Sequence, residues 1–586
     1  WKIRLPMTRL DNGACPHPKP LHLYEGGVYI LDTRGRGWGK GVLSTIIVAP
    51  VSPVILCLLL AALLFLSAPV QAIRIQAPVT VQTVALNSRG DCSDAFISHQ
   101  LNHITTPVEL PIGFYDSNGA GLAVNDLDQD GWLDIVLANL GGDNAILWNE
   151  GGRRFRREDL PSRAPSRAAA IVDVDGDGWL DIVFTQQAAA PLYWRNLGGH
   201  FETQLLRGVS YIAYAMNWLD ADRDGDLDLI TGSYDVENEL LLGQAAPLAG
   251  VVYYENLGER FRAARIGERS NTLAIHSRKN SAGESEIIIG NDFAVPDRHY
   301  VYRDGWQESA PPAFMPHSTM SYTAADLDND GARELFAVDM KPYADDETTA
   351  AQWQPIMEMM MAMPQPEDDP QIMENVLYAG NSADNLARDY GLDGTGWSWS
   401  AKFGDLDNDG FQDLYAVNGM ISLEMFSHLP ENELVEANQV YRNLAGGGFQ
   451  AEPGWALNDR ASGRGMSLAD LDNDGDLDVI VNNLLAPAKV FENRLCAGDS
   501  LAVDLRWLGV ANSHGLGAIL VLQTDQGNFR RDLQAVSGYL SGDSSRAHFG
   551  FPAGSQPQRL TITWSDGAVS LVDAPQPNTL LTILRE

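Results

Sequence analysis

Six segments of the chain repeat one acidic signature, D-x-D-x-D-G-x-x-D/E: DLDQDGWLD from Asp126, DVDGDGWLD from Asp173, DADRDGDLD from Asp220, DLDNDGARE from Asp326, DLDNDGFQD from Asp405 and DLDNDGDLD from Asp470. Self-similarity at a fixed period constrains a chain more than any single motif, because every unit must fold alike and stack on its neighbours. The first two intervals are both 47 residues, whereas Asp220 and Asp326 stand 106 apart, about twice that. A unit with a decayed loop fits the gap, since Glu286 followed by IIIG mirrors Asp228 followed by LITG. The reading is therefore seven units.

Each unit has the same internal order. A small, apolar segment such as AGLAV enters the acidic loop, and a β-type run such as DIVLAN, DIVFTQ or DVIVNN leaves it. An aromatic run closing on Asn follows (ILWNEGG, LYWRNLGG, VYYENLGE, VYRNLAGG), then a Phe such as Phe155, Phe201, Phe261 or Phe449. Short β-branched and aromatic runs between Gly/Asn turns are strands rather than helices. Three or four strands every ~45 residues are the signature of a β-propeller blade. Closure of seven blades into a ring removes exposed sheet edges. With 45% apolar residues the chain has material for such a core.

The loop-plus-strand pattern resembles the FG-GAP/VCBS repeats of integrin α-subunit propellers and of many bacterial exported proteins, over about residues 112 to 495. The run GWSWSAKFGDLDNDGFQDLYAVNG (396–419) resembles bacterial members of the cartilage acidic protein family, and NSHGLGAILVLQTDQG, SGYLSGDSSRAHFG and LTITWSDG resemble the ASPIC/UnbV domain that ends those proteins. The expected fold is all-β, a seven-bladed integrin-α-like β-propeller followed by a small β-sandwich. The expected divisions are 1–72 leader, 73–111 extension, 112–498 propeller and 499–586 ASPIC/UnbV-like domain.

Five aspartates in nine residues, as in DLDNDGDLD, need compensation. Two carboxylates ~4 Å apart repel by roughly 4 kcal/mol at an effective dielectric near 20. A divalent cation reverses the sign of that cost, and a flexible loop of hard oxygen ligands selects Ca²⁺. An EF-hand would need a carboxylate at position 12, where this chain has Leu137, Phe184, Thr231, Ala337, Ala416 and Val481. The resemblance implies ligands at positions 1, 3, 5 and 9. These are Asp126, Asp128, Asp130 and Asp134 in unit one, Asp173, Asp175, Asp177 and Asp181 in unit two, and Asp220, Asp222, Asp224 and Asp228 in unit three. Unit five supplies Asp326, Asp328, Asp330 and Glu334, unit six Asp405, Asp407, Asp409 and Asp413, and unit seven Asp470, Asp472, Asp474 and Asp478. Unit four lacks the pattern and is expected to hold no ion. About six Ca²⁺ would bring the formal charge of −36 to −24. That acidity excludes nucleic acid, which selects clustered Lys and Arg.

An apolar run, VILCLLLAALLF from Val54 to Phe65, follows Lys40 and precedes a small-x-small site ending at Ala72, the pattern of a signal peptide. Two readings stand open, a cleaved signal giving a secreted, periplasmic or cell-surface protein, and a retained anchor that would add a membrane contact. Two readings also stand open for Cys92 and Cys496, which flank the repeats: a disulfide locking the ends of a closed ring, or two separate thiols. Inserts at about 233–250, 340–375 and 420–437 follow the second strand of their units and so project from the end opposite the acidic loops. The middle insert carries Met357, Met359, Met360, Met361 and Met363, as an adaptable contact surface, a helix packed over the ring or a soft-metal site. No H-E-x-x-H, G-x-S-x-G or P-loop occurs, His99 and His103 lack companions for a metal site, and His514 and His548 read as structural. The expected function is a non-catalytic, exported, calcium-binding scaffold for adhesion to or recognition of an extracellular protein or glycan. The alternative is a polysaccharide-active enzyme or its accessory subunit.

Overall fold

The computed structural model describes residues 76–243, 249–280, 282–293, 295–361, 370–380 and 384–586, which fall in one compact unit, Ile73–Glu586. The apolar run at 54–65 and Met363 lie outside the described residues. The architecture is nearly all β, with three α-helices among the described residues: α1 (Asp235–Leu242), α2 (Glu347–Met361) and α3 (Leu423–Phe426).

The first repeat folds as four antiparallel strands, Leu122–Asn125, Asp134–Leu137, Asn144–Asn149 and Phe155–Leu160. Similar antiparallel sheets follow at 166–204, 215–267, 272–309, 321–379, 396–451 and 462–492, the fifth having three strands among the described residues. The inner strands are buried on both faces, as in Asp134–Leu137 and Asp181–Gln186, so they read as continuous apolar runs, whereas the outermost, FRREDL at Phe155–Leu160, is partly exposed. The first strand of each sheet lies beside the first strand of the next, and that of the last, Ser462–Ala469, lies beside Leu122–Asn125 of the first. The series returns on itself.

The segment before the repeats takes part in two sheets. Ile97–Ile104 completes the last repeat sheet, pairing antiparallel with Pro487–Glu492 in the register Ile97↔Glu492. Cys92 and Cys496, bonded as a disulfide with Cα atoms 5.6 Å apart, close the chain beside that pairing. Val79–Ala85 reaches farther and pairs with Thr579–Arg585 at the C-terminus.

Beyond residue 498 the chain forms two more four-stranded sheets, one around Asp499–Trp507 and Thr579–Arg585, the other around Ile519–Thr524 and Pro557–Thr563. Leu501, Val503 and Phe549 from the first share one apolar cluster with Leu520, Leu522 and Ile562 from the second.

Residues 535–545 leave these sheets and enter the middle of the repeat array. Ser541–Gly542 bridges the first two sheets through Ala123↔Gly542 and Ser541↔Ala169. Asn217 donates to Val536 O at 3.4 Å, Gly538 N to Tyr322 O at 2.8 Å, Tyr539 N to Ser400 Oγ at 3.0 Å and Met466 N to Ser541 Oγ at 3.1 Å. The hairpin thus touches first strands from sheets one, two, three, five, six and seven, which places it on the axis. The small residues that precede each acidic loop now have a reason: a Cβ at Gly121 would collide with the Leu540 carbonyl, and one at Gly465 would meet Ser541 Oγ at 2.8 Å.

Candidate metal centre

Each acidic loop joins the first and second strands of its sheet, and its carboxylates divide into two tasks. Asp126 at position 1 accepts from Gly131 N at 3.0 Å, and Asp130 at position 5 accepts from Trp132 N at 2.8 Å, so both hold the turn. Asp134 at position 9 accepts from Leu127 N at 3.1 Å through one oxygen and from Asn149 N at 2.8 Å through the other. The same pair of bonds recurs at Asp181 (Val174 N, Asn196 N), Asp228 (Ala221 N, Asn256 N), Asp413 (Leu406 N, Asn443 N) and Asp478 (Leu471 N, Asn493 N). Glycine at position 6 is required by geometry, with φ of +93° at Gly131 and +90° at Gly178 and Gly475.

Among the described residues at least five groups of acidic side chains bring one oxygen each within 4.8 Å of one another. They are Asp126–Asp128–Asp134, Asp173–Asp175–Asp181, Asp220–Asp222–Asp224, Asp326–Asp328–Glu334 and Asp405–Asp407–Asp413. Within them Asp126 Oδ1, Asp220 Oδ1, Asp326 Oδ1 and Asp407 Oδ1 are buried and accept no hydrogen bond. These orphaned carboxylate oxygens in loops one, three, five and six are hard donors and fit a divalent cation such as Ca²⁺. Burial and neighbouring carboxylates push these groups upward in pKa: Asp126, Asp173 and Asp326 to about 6, Asp228, Glu334 and Asp472 to about 7, and Asp134, Asp181 and Asp470 to about 8. Without a cation these loops take up protons; with one, the negative charge is used in ligation.

Two acids escaped the sequence reading. Asp226 and Asp476 occupy position 7, outside the expected ligand positions 1, 3, 5 and 9, and Asp226 Oδ1 and both Asp476 oxygens are buried without hydrogen-bond partners. The signal was visible as D-G-D-L-D in loops three and seven. In sheet four the corresponding turn carries Arg278, paired with Glu286 at 2.5 Å, and Lys279, which donates to Asp220 O at 3.3 Å and Ser285 Oγ at 2.8 Å.

In four of the sheets the Asn that ends the third strand joins neighbouring sheets. Asn149 Nδ2 donates to Leu133 O in its own loop and to Leu471 O in the last, at 3.1 and 2.8 Å. Asn196, Asn443 and Asn493 repeat the link, reaching Leu127 O, Leu327 O and Leu406 O at 2.7–2.9 Å.

The loop-bearing end is covered by the C-terminal sheets. Ser513 Oγ donates to Asp173 Oδ2 at 2.5 Å and Ser565 Oγ to Asp220 Oδ2 at 3.1 Å. Backbone carbonyls of the position-6 glycines accept from the same side: Gly131 from Arg546 at 3.3 Å, Gly225 from Asn512 N at 2.9 Å, Gly331 from Arg530 at 2.7 Å and Gly475 from His548 Nε2 at 3.2 Å. Loop six meets Arg531, 3.9 Å from Asp405 Oδ2. His514 and His548 serve this docking, His514 Nδ1 lying 2.8 Å from Ser513 Oγ.

Two family models match the chain. The FG-GAP-like repeat model matches residues 126–184, 173–231 and 427–481, and the ASPIC and UnbV model matches 509–586. No curated protein matches. Among solved structures, BBS1N in complex with ARL6DN is 9% identical over 68% of this chain and 96% of its own, with TM-score 0.36. The rhamnogalacturonan lyase YesW is 12% identical over 67% and 91%, TM-score 0.28, and an ancestral GH74 enzyme 11% over 81% and 64%, TM-score 0.38.

At the opposite end the three inserts carry α1, α2 and α3. Trp353, Ile356 and Met360 of α2 are buried, Trp353 donating to Glu436 Oε1 at 3.0 Å, while Met359 is 42% exposed. Met359 and Met360 line a pocket with Met320, Met340, Phe114 and Phe293. Phe293 has φ +57°, a left-handed conformation costly for an aromatic residue. His99 pairs with Glu492 at 2.7 Å, and His103 is buried beside Arg157, which together hold its pKa down to about 4.

Proposed function

We propose that the chain is an exported recognition or adhesion module, a seven-bladed, calcium-stabilised β-propeller with a C-terminal β-sandwich, whose partner docks at the insert-bearing end. The observation that carries this reading is the occupied loop end: all six acidic loops touch the C-terminal sheets, so an extracellular protein or glycan meets the other end. There the methionine and aromatic pocket offers adaptable apolar walls and rings for stacking. The cations, held by positions 1, 3 and 9 in loops one, two, five and six and by positions 1, 3 and 5 in loop three, with Asp226 and Asp476 added in loops three and seven, hold the turns rather than the partner. Extracellular calcium suits this chemistry, and the FG-GAP-like matches and the Cys92–Cys496 bridge support an oxidising compartment.

The test is a glycan array and an extracellular-protein array probed with the full chain and with Phe114→Ala and Met359→Glu. Both variants are expected to keep the parent melting temperature and lose at least about tenfold in partner affinity. Undiminished capture by both would overturn the location.

One observation favours a second reading. Asp292 and His317 line the same pocket, and burial raises the Asp292 pKa while its carboxylate accepts from Tyr234 Oη at 2.5 Å. A polysaccharide-cleaving activity would then depend on Asp292, and a hydrolase and lyase screen comparing the parent with Asp292→Asn decides it.

A further inference from the structure

The residue before the third-strand Asn differs from sheet to sheet, and in sheets two and six it reaches the acidic loop. Asn196 N and Asn256 N bond the position-9 carboxylates Asp181 and Asp228, and Tyr193 and Tyr253 donate to the same carboxylates at 3.1 and 3.0 Å. Residues two apart on a strand share a face, so Arg195 and Glu255 stand on the face of those tyrosines, toward the loop. The same place holds Trp148 in sheet one, Arg442 in sheet six and Glu492 in sheet seven.

Both arginines lie across carboxylates of their own loops. Arg195 Nε is 2.6 Å from Asp175 Oδ2, and its Nη2 donates to Asp177 Oδ2 at 3.0 Å. Arg442 repeats the bridge, with Nε 2.7 Å from Asp407 Oδ2 and Nη2 donating to Asp409 Oδ2 at 3.2 Å. The second oxygen at position 5 accepts from backbone, Asp177 Oδ1 from Trp179 N at 3.0 Å and Asp409 Oδ1 from Phe411 N at 2.9 Å. In these two loops position 5 is fully engaged and position 3 half engaged before any ion arrives.

Loops one, three and five are built otherwise. Asp130, Asp224 and Asp330 also accept from backbone through Oδ1, at 2.8, 3.1 and 2.7 Å, but among the described residues no Lys or Arg forms an ion pair with an acid at position 1, 3, 5 or 9 of these loops. Arg223 and Arg333, which belong to loops three and five, turn away to Gly283 O and Asp532. Lys279, Arg530 and Arg546 meet these loops at the backbone carbonyls of Asp220, Gly331 and Gly131.

We propose that Arg195 and Arg442 are internal counter-ions that lower the calcium affinity of loops two and six, so that the chain loads calcium in two stages. The charge among its ligands sets the affinity of a calcium loop. A guanidinium across positions 3 and 5 cancels part of that charge, holds oxygens through charge-assisted hydrogen bonds and repels an arriving dication. Both side chains are partly exposed, so abundant calcium can displace them. Loops one, three and five fill first. Loop seven combines both devices, Arg153 of sheet one pairing with Asp472 while Asp476 adds a carboxylate. The inference rests on the calcium reading above and adds the order of loading.

Calcium titration calorimetry on the metal-free full chain tests it. The parent is expected to show two classes of site separated by about tenfold or more in affinity. Arg195→Gln and Arg442→Gln should each tighten one weak site by about tenfold, moving it into the tight class. Glu255→Arg, which sets a guanidinium at the same register in loop three, should move one site the other way, and it carries the test should a glutamine variant fail to fold without metal. Weaker binding in the glutamine variants would make the arginines orienting partners of the ligands, and unchanged binding in the variants that fold would make them bystanders. Either result overturns this inference and leaves the calcium reading intact. The absence of saturable calcium heat in the parent removes the calcium reading and this inference with it.

Discussion

At position 9 of each loop one carboxylate serves two masters, and single substitutions separate them. Asp134 satisfies two buried backbone donors, Leu127 N and Asn149 N, besides facing the cation position, whereas Asp128 is exposed and its main role is toward the cation. Asp134→Ala is expected to cost about 2–5 kcal/mol in EGTA as well as in calcium, since two donors are orphaned either way. Asp128→Ala should be nearly neutral in EGTA and destabilising only in calcium; urea melts under both conditions read the difference. The pH dependence follows from the raised carboxyl values. Metal-free, the folded loops bind protons that the unfolded chain releases, between the ordinary carboxyl value near 4 and about 6–8 in the loops. Metal-free stability from these groups therefore rises as pH falls through that window, while protons compete with calcium. The gap in melting temperature between calcium and EGTA should shrink from pH 8 to pH 5. His103, His299, His514 and His548, all depressed by burial to about 3–4, lower stability below pH 6.5 in both forms and largely cancel in the difference.

Elements were legible to the extent that they repeat. The loops, the strands that leave them and the aromatic strands ending in Asn announced themselves because each unit solves the same burial problem in the same residue types. Val79–Ala85 and Ile97–Ile104 did not, because a single strand completing someone else's sheet carries no period and finds its partner almost 400 or more residues away. The role of the third-strand Asn was equally hidden: its spacing is visible in the sequence, but the carbonyl it reaches belongs to the neighbouring sheet. The contact between the C-terminal sheets and the acidic loops joins the two matched families and supports a prediction at this scale. Ser513 and Ser565 donate to carboxylates that the cations would hold in place, so calcium removal should loosen those segments. Hydrogen exchange in EGTA is expected to rise in the peptides spanning 509–517 and 563–567 more than in the first strands of the repeat sheets. Uniform exchange across both would argue that docking is independent of the ions.

Across the whole molecule, the hairpin at 536–542 ties the first strands of the repeat sheets to the C-terminal sheets. Tyr539 is fully buried, its hydroxyl 2.7 Å from Tyr214 Oη and accepting from Gly119 N at 3.1 Å, its ring centroid 5.1 Å from that of Trp399. It therefore ties the entry to sheet one, sheet three and sheet six through a residue of the C-terminal part. Tyr539→Ala removes a large aromatic from a closed site and orphans Gly119 N, a cost of about 3–5 kcal/mol. Tyr539→Phe keeps the ring and should cost only about 1–2 kcal/mol. Because the hairpin is the axial link between the two parts, calorimetry of the calcium-loaded parent should give one transition. Tyr539→Ala should split off an earlier one in which the C-terminal sheets melt first, with the Cys92–Cys496 bridge and the pairing of Ile97–Ile104 still holding the ring. A single transition lowered by less than about 1 kcal/mol in the alanine variant would mean that the hairpin merely fills the axis, and that cooperation between the parts comes from the loop face alone.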